Sequence, residues 1–437
     1  MRLNCTGWIF VLPLLFVSCS TPKQISRLAK NEILTSEAFT SAHIGISIYE
    51  PATQKYWYNF QGDKYFVPAS NTKLPTCYAA MKYLGDSVVG LQHHRSADTL
   101  FISAWGDPTF LHPDFTDQRI YEFLKTTGDI IILNTSSWRE KRWGIGWAWD
   151  DYNEDYMAER SAFPIYGNLV RFTNKLKNIQ VSPPYFSTKI IRDSIQKPDA
   201  VLTPVHREIA SNAFYITAPD SLPGVFEMPF YTGEDSTILN LLKDTLHKQV
   251  YQNYSRDDKR TSYKNAYSEP TDSLLKIMMH RSDNFFAEQS LLMVSRQLLD
   301  VMNDEKIIDT LLKTDFKDLP QRPVWVDGSG LSRYNLFTPK DFVGILKKMK
   351  DEFGIERMKH ILPTGGAGTL TNYYKTGKGY IFAKTGTLSG VIALSGLLYT
   401  KKNKLLIFSV LVNNHHSDPP VIRRAIEKFI EALRNNN

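Results

Sequence analysis

The strand-forming signals of this chain lie at its two ends, and that placement constrains its fold more than any other feature. Near the start, His43-Ile44-Gly45-Ile46-Ser47-Ile48-Tyr49 alternates as a strand does, Glu50-Pro51-Ala52-Thr53 supplies a turn, and Tyr56-Trp57-Tyr58-Asn59-Phe60 reads as the returning strand of a hairpin. Near the end, Tyr380 to Lys384, Val391 to Tyr399 and Leu405 to Val412 are three more strand-like runs, and Pro419 to Leu433 is an amphipathic closing helix. A chain of 437 residues is too long for one ordinary core. Short antiparallel connections at both ends, with helices before and after, predict an α+β domain built from both termini. The stretch 95–262, rich in short strand-like runs, Pro, Gly and Asp, reads as one or two β-rich inserted domains. The expected division is a leader at 1–19, a discontinuous domain at 20–94 and 263–437, and the insert between.

The leader has a short positive start at Arg2 and an apolar run, Trp8 to Val17, too short to span a bilayer. It ends in Phe16-Val17-Ser18-Cys19 before polar Ser20-Thr21-Pro22-Lys23, the shape of an export signal. A Cys directly after the cut resembles a bacterial lipobox, which implies diacylglycerol on Cys19, a membrane anchor and a periplasmic location. Phe16 is less usual there than Leu, so cleavage without a lipid is the alternative. The formal charge of +7 comes without a long Lys/Arg run or a nucleic-acid module, so no nucleic-acid partner is expected. Cys77, in an apolar helical run, reads as a packed small residue.

Three short motifs carry chemistry. Ser70-Asn71-Thr72-Lys73 opens a helix, which puts Ser70 and Lys73 on one face, where a neutral amine can take the hydroxyl proton. A helix N-terminus also turns backbone N–H groups toward a developing oxyanion. Ser282-Asp283-Asn284 lies between a helical run from Thr271 and an apolar helix, Phe285 to Leu299, and can push a hydroxyl and an amide into a cleft. Lys384-Thr385-Gly386-Thr387 ends a strand, whose edge can receive a peptide laid alongside. Each motif alone is common as a helix cap, a turn or a surface lysine. In this order and context they form the signature of β-lactamases and penicillin-binding proteins. The long gap from Ser70 to Ser282 excludes a compact class A β-lactamase and leaves room for the insert.

With these motifs, and with Trp105-Gly106-Asp107-Pro108-Thr109, Trp149-Asp150-Asp151, Asp327 to Arg333 and Gly368-Thr369-Leu370, the chain resembles the D-alanyl-D-alanine carboxypeptidase/endopeptidase family of class C low-molecular-mass penicillin-binding proteins. The resemblance covers the mature chain and implies a β-lactamase/transpeptidase-like domain, an antiparallel sheet flanked by helices. It implies an acyl-enzyme on Ser70, with Lys73 as base, Ser282 relaying a proton to the leaving amine, and Asn284 positioning Lys73 and the substrate amide. Lys384 and Thr385 would bind the terminal carboxylate, with Gly386 allowing close approach and the N–H groups of Ser70 and Thr387 forming the oxyanion hole. Asp151 matches a family acidic residue that receives a stem-peptide amine. Peptidoglycan stem peptides are the implied substrate, β-lactam antibiotics the implied covalent inhibitors, and no cofactor or metal is expected. A β-lactamase-like hydrolase and a non-catalytic wall-binding protein are the rival readings. Pro75 departs from a good helix former, and is expected to bend the Lys73 helix at its start. Four tryptophans, Trp138, Trp143, Trp147 and Trp149, form either part of a β-domain core or a stacking surface. Asp327 to Gly330 reads as a structural turn near the cleft.

Overall fold

The computed structural model describes residues 21–437 apart from 129, 176–177, 193–203, 217–221, 223 and 256–261. The lipid-attachment reading of Cys19 lies outside the described residues.

The two ends of the chain meet in one sheet. Its five strands run in the order Ile381–Leu388, Val391–Tyr399, Leu405–Asn413, His43–Glu50 and Lys55–Phe60, each antiparallel to its neighbour. Side chains alternate across a strand, and in the three inner strands both faces are covered, so most positions there are apolar. Ile392, Leu394 and Leu398 enter a core with the helices Thr21–Ala29 and Pro419–Asn435. Ala393 and Leu397 enter a second core with Lys73–Tyr83, Thr271–Arg281, Asn284–Leu299 and Pro339–Phe353. This is the expected α+β domain drawn from both termini. The Lys384 motif lies inside its strand and does not end it, because pairing with Ser395, Leu394, Ala393 and Ile392 carries the ladder through Thr387.

The inserted part has its own core, around Leu91, Ile102, Ile131, Phe172, Phe214 and Leu241. A five-stranded sheet runs in the order Gln249–Asn253, Ile130–Asn134, Thr99–Ala104, Ser87–Ser96 and Lys264–Pro270, beside two three-stranded sheets. This sheet crosses the limits expected at 95 and 262. Strand Ser87–Ser96 is continuous across the first, and Lys264–Pro270, lying beyond the second, pairs with it. The polar end His93-His94-Arg95-Ser96 hid the strand from its sequence pattern. The insert also carries the helices Arg119–Thr126 and Ser236–Leu246.

Lys73–Tyr83 is the central helix of the terminal domain, buried from Lys73 to Met81. Cys77 is fully buried, and burial pushes its thiol up to about 12, so it packs as a small apolar residue. Pro75 sits in the first helical turn, where its missing N–H costs little, and a 3-10 turn, Ala69–Thr72, leads into it.

Candidate active site

Ser70 sits in the 3-10 turn at the head of the central helix. Two contacts fasten that turn to the sheet: Asn71 Nδ2 donates to Ser395 Oγ (2.7 Å), and Asn413 exchanges hydrogen bonds with the Val67 backbone (2.7 and 3.0 Å). Ala69 holds a left-handed φ of 48°, a conformation that costs about 1–2 kcal/mol and persists where surrounding structure enforces it. The enforcing neighbour is Gly330, at φ 84°, where a Cβ would stand 1.9 Å from the Ala69 carbonyl oxygen. Gly386 serves the same turn from the strand. The space above it is taken by Pro68, whose carbonyl oxygen would be 2.7 Å from a Cβ at 386.

The Lys73 amine is fully buried and lies 3.1 Å from Ser70 Oγ, 2.6 Å from Asn284 Oδ1 and 2.8 Å from the Ser329 carbonyl oxygen. Burial pushes it down to about 8, against the opposing pull of Asp327, Asp283 and Glu288. In its neutral form it donates to Asn284 and Ser329, and its lone pair faces the Ser70 hydroxyl.

Ser282 ends helix Thr271–Arg281 in a left-handed conformation (φ 63°), and Asp283 caps the next helix by accepting from Phe286 N (2.9 Å). Asn284 is thereby the first residue of that helix, and its Nδ2 donates to the Tyr156 carbonyl (3.0 Å). Lys384 Nζ donates to Ser282 Oγ and to Thr385 O, each at 2.8 Å. It too is fully buried, held well below its ordinary value by burial and by Lys73.

A cleft of about 620 Å³ opens over Ser70, Ser282 and Asn284, with Thr387, Asp151, Tyr156, Gly330 and Arg333 on its walls. Lys384 reaches it only through Ser282. Thr385 and Gly386 instead line a separate cavity of about 30 Å³ with Tyr373 and Ile426. Asp151 hydrogen-bonds the Tyr156 hydroxyl, which is held above its ordinary value first by burial and then by Asp151. Of the four tryptophans, Trp138 is half-buried against the insert core, Trp149 is 71% exposed, and Trp147 Nε1 donates to Asp327 Oδ2 (2.9 Å).

Asp327 to Gly330 is a turn, as its composition predicts. Asp327 accepts from Gly330 N, Ser332 N and Asn335 Nδ2 at 2.7–2.8 Å. What the residue types do not announce is that the turn lends the Ser329 carbonyl to Lys73. Tyr156 and Glu288 lie outside every motif that the sequence offers. Glu288 had a signal: a charged residue inside the apolar run Phe285 to Leu299 must be paired if that helix is buried.

A serine hydroxyl facing a buried amine, at the head of a helix beside an antiparallel sheet, is an arrangement suited to an active-site serine enzyme. The chain belongs to the D-Ala-D-Ala carboxypeptidase 3 (S13) family, which matches residues 28–433, and it is a serine-type D-Ala-D-Ala peptidase. It is 23% identical to D-alanyl-D-alanine carboxypeptidase DacB of Haemophilus influenzae over 82% of each chain. It is 24% identical to the D-alanyl-D-alanine carboxypeptidase of Actinomadura sp. strain R39, over 89% of this chain and 80% of that protein. The crystal structure of penicillin binding protein 4 (dacB) from Haemophilus influenzae superposes with a TM-score of 0.74 at 21% identity, covering 94% of this chain and 98% of the other. The fold extends to Bd3459, a predatory peptidoglycan endopeptidase from Bdellovibrio bacteriovorus, with a TM-score of 0.53 at 16% identity, over 91% of this chain and 93% of that one.

Proposed function

We propose that the chain hydrolyses peptidoglycan stem peptides through an acyl-enzyme on Ser70, releasing terminal D-Ala and opening cross-links. The observation that carries this is the Lys73 amine, 3.1 Å from Ser70 Oγ and lowered to about 8 by burial. In this reading Ser70 Oγ attacks the carbonyl carbon of the penultimate D-Ala while Lys73 takes the hydroxyl proton. The N–H groups of Ser70 and Thr387 receive the oxyanion. As the peptide C–N bond breaks, Ser282 gives its hydroxyl proton to the leaving amine and takes over the proton that Lys73 accepted, and its hydrogen bond from Lys384 orients it. Asn284 holds Lys73 with its carbonyl oxygen. A substrate carboxylate beside Ser282 and Thr387 on the cleft wall would raise the Lys384 amine back to its charged form, so Lys384 is the cation of the terminal carboxylate site, while Thr385 and Gly386 face a separate cavity. Asp151, on the cleft wall, receives the free amine of the stem-peptide diamino acid. Water attacking the ester then frees Ser70.

The same reading takes the insert as a separate unit, with its joints near Ser87 and Pro270, where its sheet begins and ends. It also takes Cys19 as a lipid attachment that tethers an exported enzyme beside the wall. Among the described residues no helix is long and apolar enough to cross a membrane. The deciding experiment is mass spectrometry of monomeric and cross-linked muropeptides after incubation with the wild type and with Ser70→Ala. Loss of D-Ala from pentapeptides and conversion of dimers to monomers, both absent with Ser70→Ala, are expected. Unchanged muropeptides with the wild type would overturn the proposal.

A further inference from the structure

The helix that begins at Asn284 touches the insert with the residues one turn further on. Glu288, buried at 1% exposure, accepts from Ser329 N with Oε1 (2.7 Å) and lies against Arg160 Nη1 with Oε2 (3.3 Å). Arg160 belongs to the insert, and its side chain is almost wholly buried. The same guanidinium reaches Asp304 Oδ2 (2.6 Å), Glu140 Oε2 (3.1 Å) and the carbonyls of Lys141 and Trp143. Ser329, whose N–H is thus held by Glu288, gives its carbonyl to Lys73 Nζ at 2.8 Å. Beside this, Trp147 of the insert holds Asp327, the other end of the same turn. Gly328 fixes the turn against the helix, since a Cβ there would stand 2.9 Å from the Ala287 carbonyl oxygen.

We propose that Arg160 is a positioning residue for Ser70 acylation: it holds Glu288, Glu288 holds the Ser329 amide, and the Ser329 carbonyl fixes the Lys73 amine. The inserted domain thereby takes part in the reaction, beyond shaping the cleft. This inference rests on the acyl-enzyme reading above. Charge travels the same route as position. Lys73 is faced by Glu288, Asp283 and Asp327 on one side and by Lys384 on the other. Glu288 is faced by Asp327, Arg160 and Asp304, and burial pushes it up to about 7. Glu140, also raised to about 7 by burial, competes with it for Arg160. An ionised Glu288 favours the charged form of Lys73, and Arg160 is the cation that keeps Glu288 ionised. Without Arg160, Glu288 takes up a proton in a site it shares with Asp327 and Asp304.

The test is the rate of Ser70 acylation by a fluorescent penicillin, followed against pH on the full chain and normalised to titrated active sites. Glu288→Gln keeps an oxygen for Ser329 N but removes the charge, so the pH midpoint moves down by about one unit. Arg160→Met moves it the same way, Arg160→Lys restores it, and the double variant Arg160→Met with Glu288→Gln shifts it no further than Glu288→Gln alone. Glu288→Ala, which leaves the Ser329 N–H without its acceptor, lowers the acylation rate constant about tenfold or more, with the affinity of the non-covalent penicillin complex unchanged. A purely structural Arg160 would lower the yield of active protein while leaving midpoint and rate per active site as in the wild type, and that result overturns the proposal. A midpoint that moves upward in Glu288→Gln overturns it too. If Arg160→Met does not fold, the two Glu288 variants decide the matter. No acylation of the wild type at any pH would instead overturn the acyl-enzyme reading itself, and this inference with it.

Discussion

In the terminal domain Lys73 and Lys384 are buried with only hydroxyl, amide and carbonyl oxygens in hydrogen-bond contact, whereas in the insert Arg160 and Arg207 are buried against carboxylates. Among the described residues neither lysine forms an ion pair with a carboxylate. The consequence follows from desolvation: burial disfavours a charge that nothing neutralises, and an amine can escape by losing its proton. Lys73 is lowered to about 8 from 10.5. Its folded pKa lies below the unfolded one, so the folded state loses stability where the amine is charged. That loss is full below about 8, amounts to roughly 3 kcal/mol there, and vanishes as pH rises past 10.5. Burial acts against both guanidiniums as well. At Arg160, Glu288, Asp304 and Glu140 outweigh it and hold the group above its ordinary value. At Arg207 burial outweighs Glu159 and the group lies below its ordinary value, still paired because a guanidinium does not readily lose its proton. The first arrangement leaves an amine that can lose its proton at a cost in stability, and the second keeps a charge in place.

The largest expected effect comes from the unpaired amine. Lys73→Met should slow penicillin acylation by about a thousandfold or more, while the thermal midpoint stays level or rises. A large fall in that midpoint would break the contrast. Arg207→Met should do the reverse, costing about 1–3 kcal/mol by leaving Glu159 with only Arg142 and Thr232 as partners, with the pH midpoint of acylation unmoved. Urea unfolding and the pH–acylation curve together check both halves. In the wild type that curve should rise nearly tenfold per pH unit below about 8 and level above it, because the neutral amine is the reactive form. A rise continuing to the range of a free lysine would remove Lys73 as base. Gly330→Ala, which forces a Cβ against the Ala69 carbonyl at a positive φ, should cost more than about 1 kcal/mol and slow acylation through the nucleophile turn. The smallest effect belongs to the surface pair Lys347–Asp351, where Lys347→Ala should change unfolding free energy by only about 0.3–0.5 kcal/mol. That value sets the scale against which the buried pairs are read.

Much of this was legible in residue order. The three motifs, the strands at both ends and the helix from Asn284 follow from periodicity, capping and turn chemistry, all of which act over a few neighbouring residues. Ser282 and Asp283 illustrate how far that reaches: one ends a helix, the other caps the next, and Asn284 is set between them as a result. The insert was harder to delimit, because Ser87–Ser96 and Lys264–Pro270 pair with each other across the whole inserted stretch and carry little apolar alternation of their own.

Ser70 with Lys73, Ser282 with Asn284, and Lys384 with Thr385 were therefore written in the sequence by itself, as residue types whose spacing sets their local geometry. Only the tertiary structure decided what surrounds them. It gave Lys73 the carbonyl of Ser329, closed Gly386 and Gly330 on the nucleophile turn, and turned Lys384 onto Ser282. It also joined Arg160 of the insert to Glu288. The physical reason is that backbone carbonyls, burial and long-range ion pairs have no residue-type signature. They are properties of packing, and packing is settled only when distant segments meet.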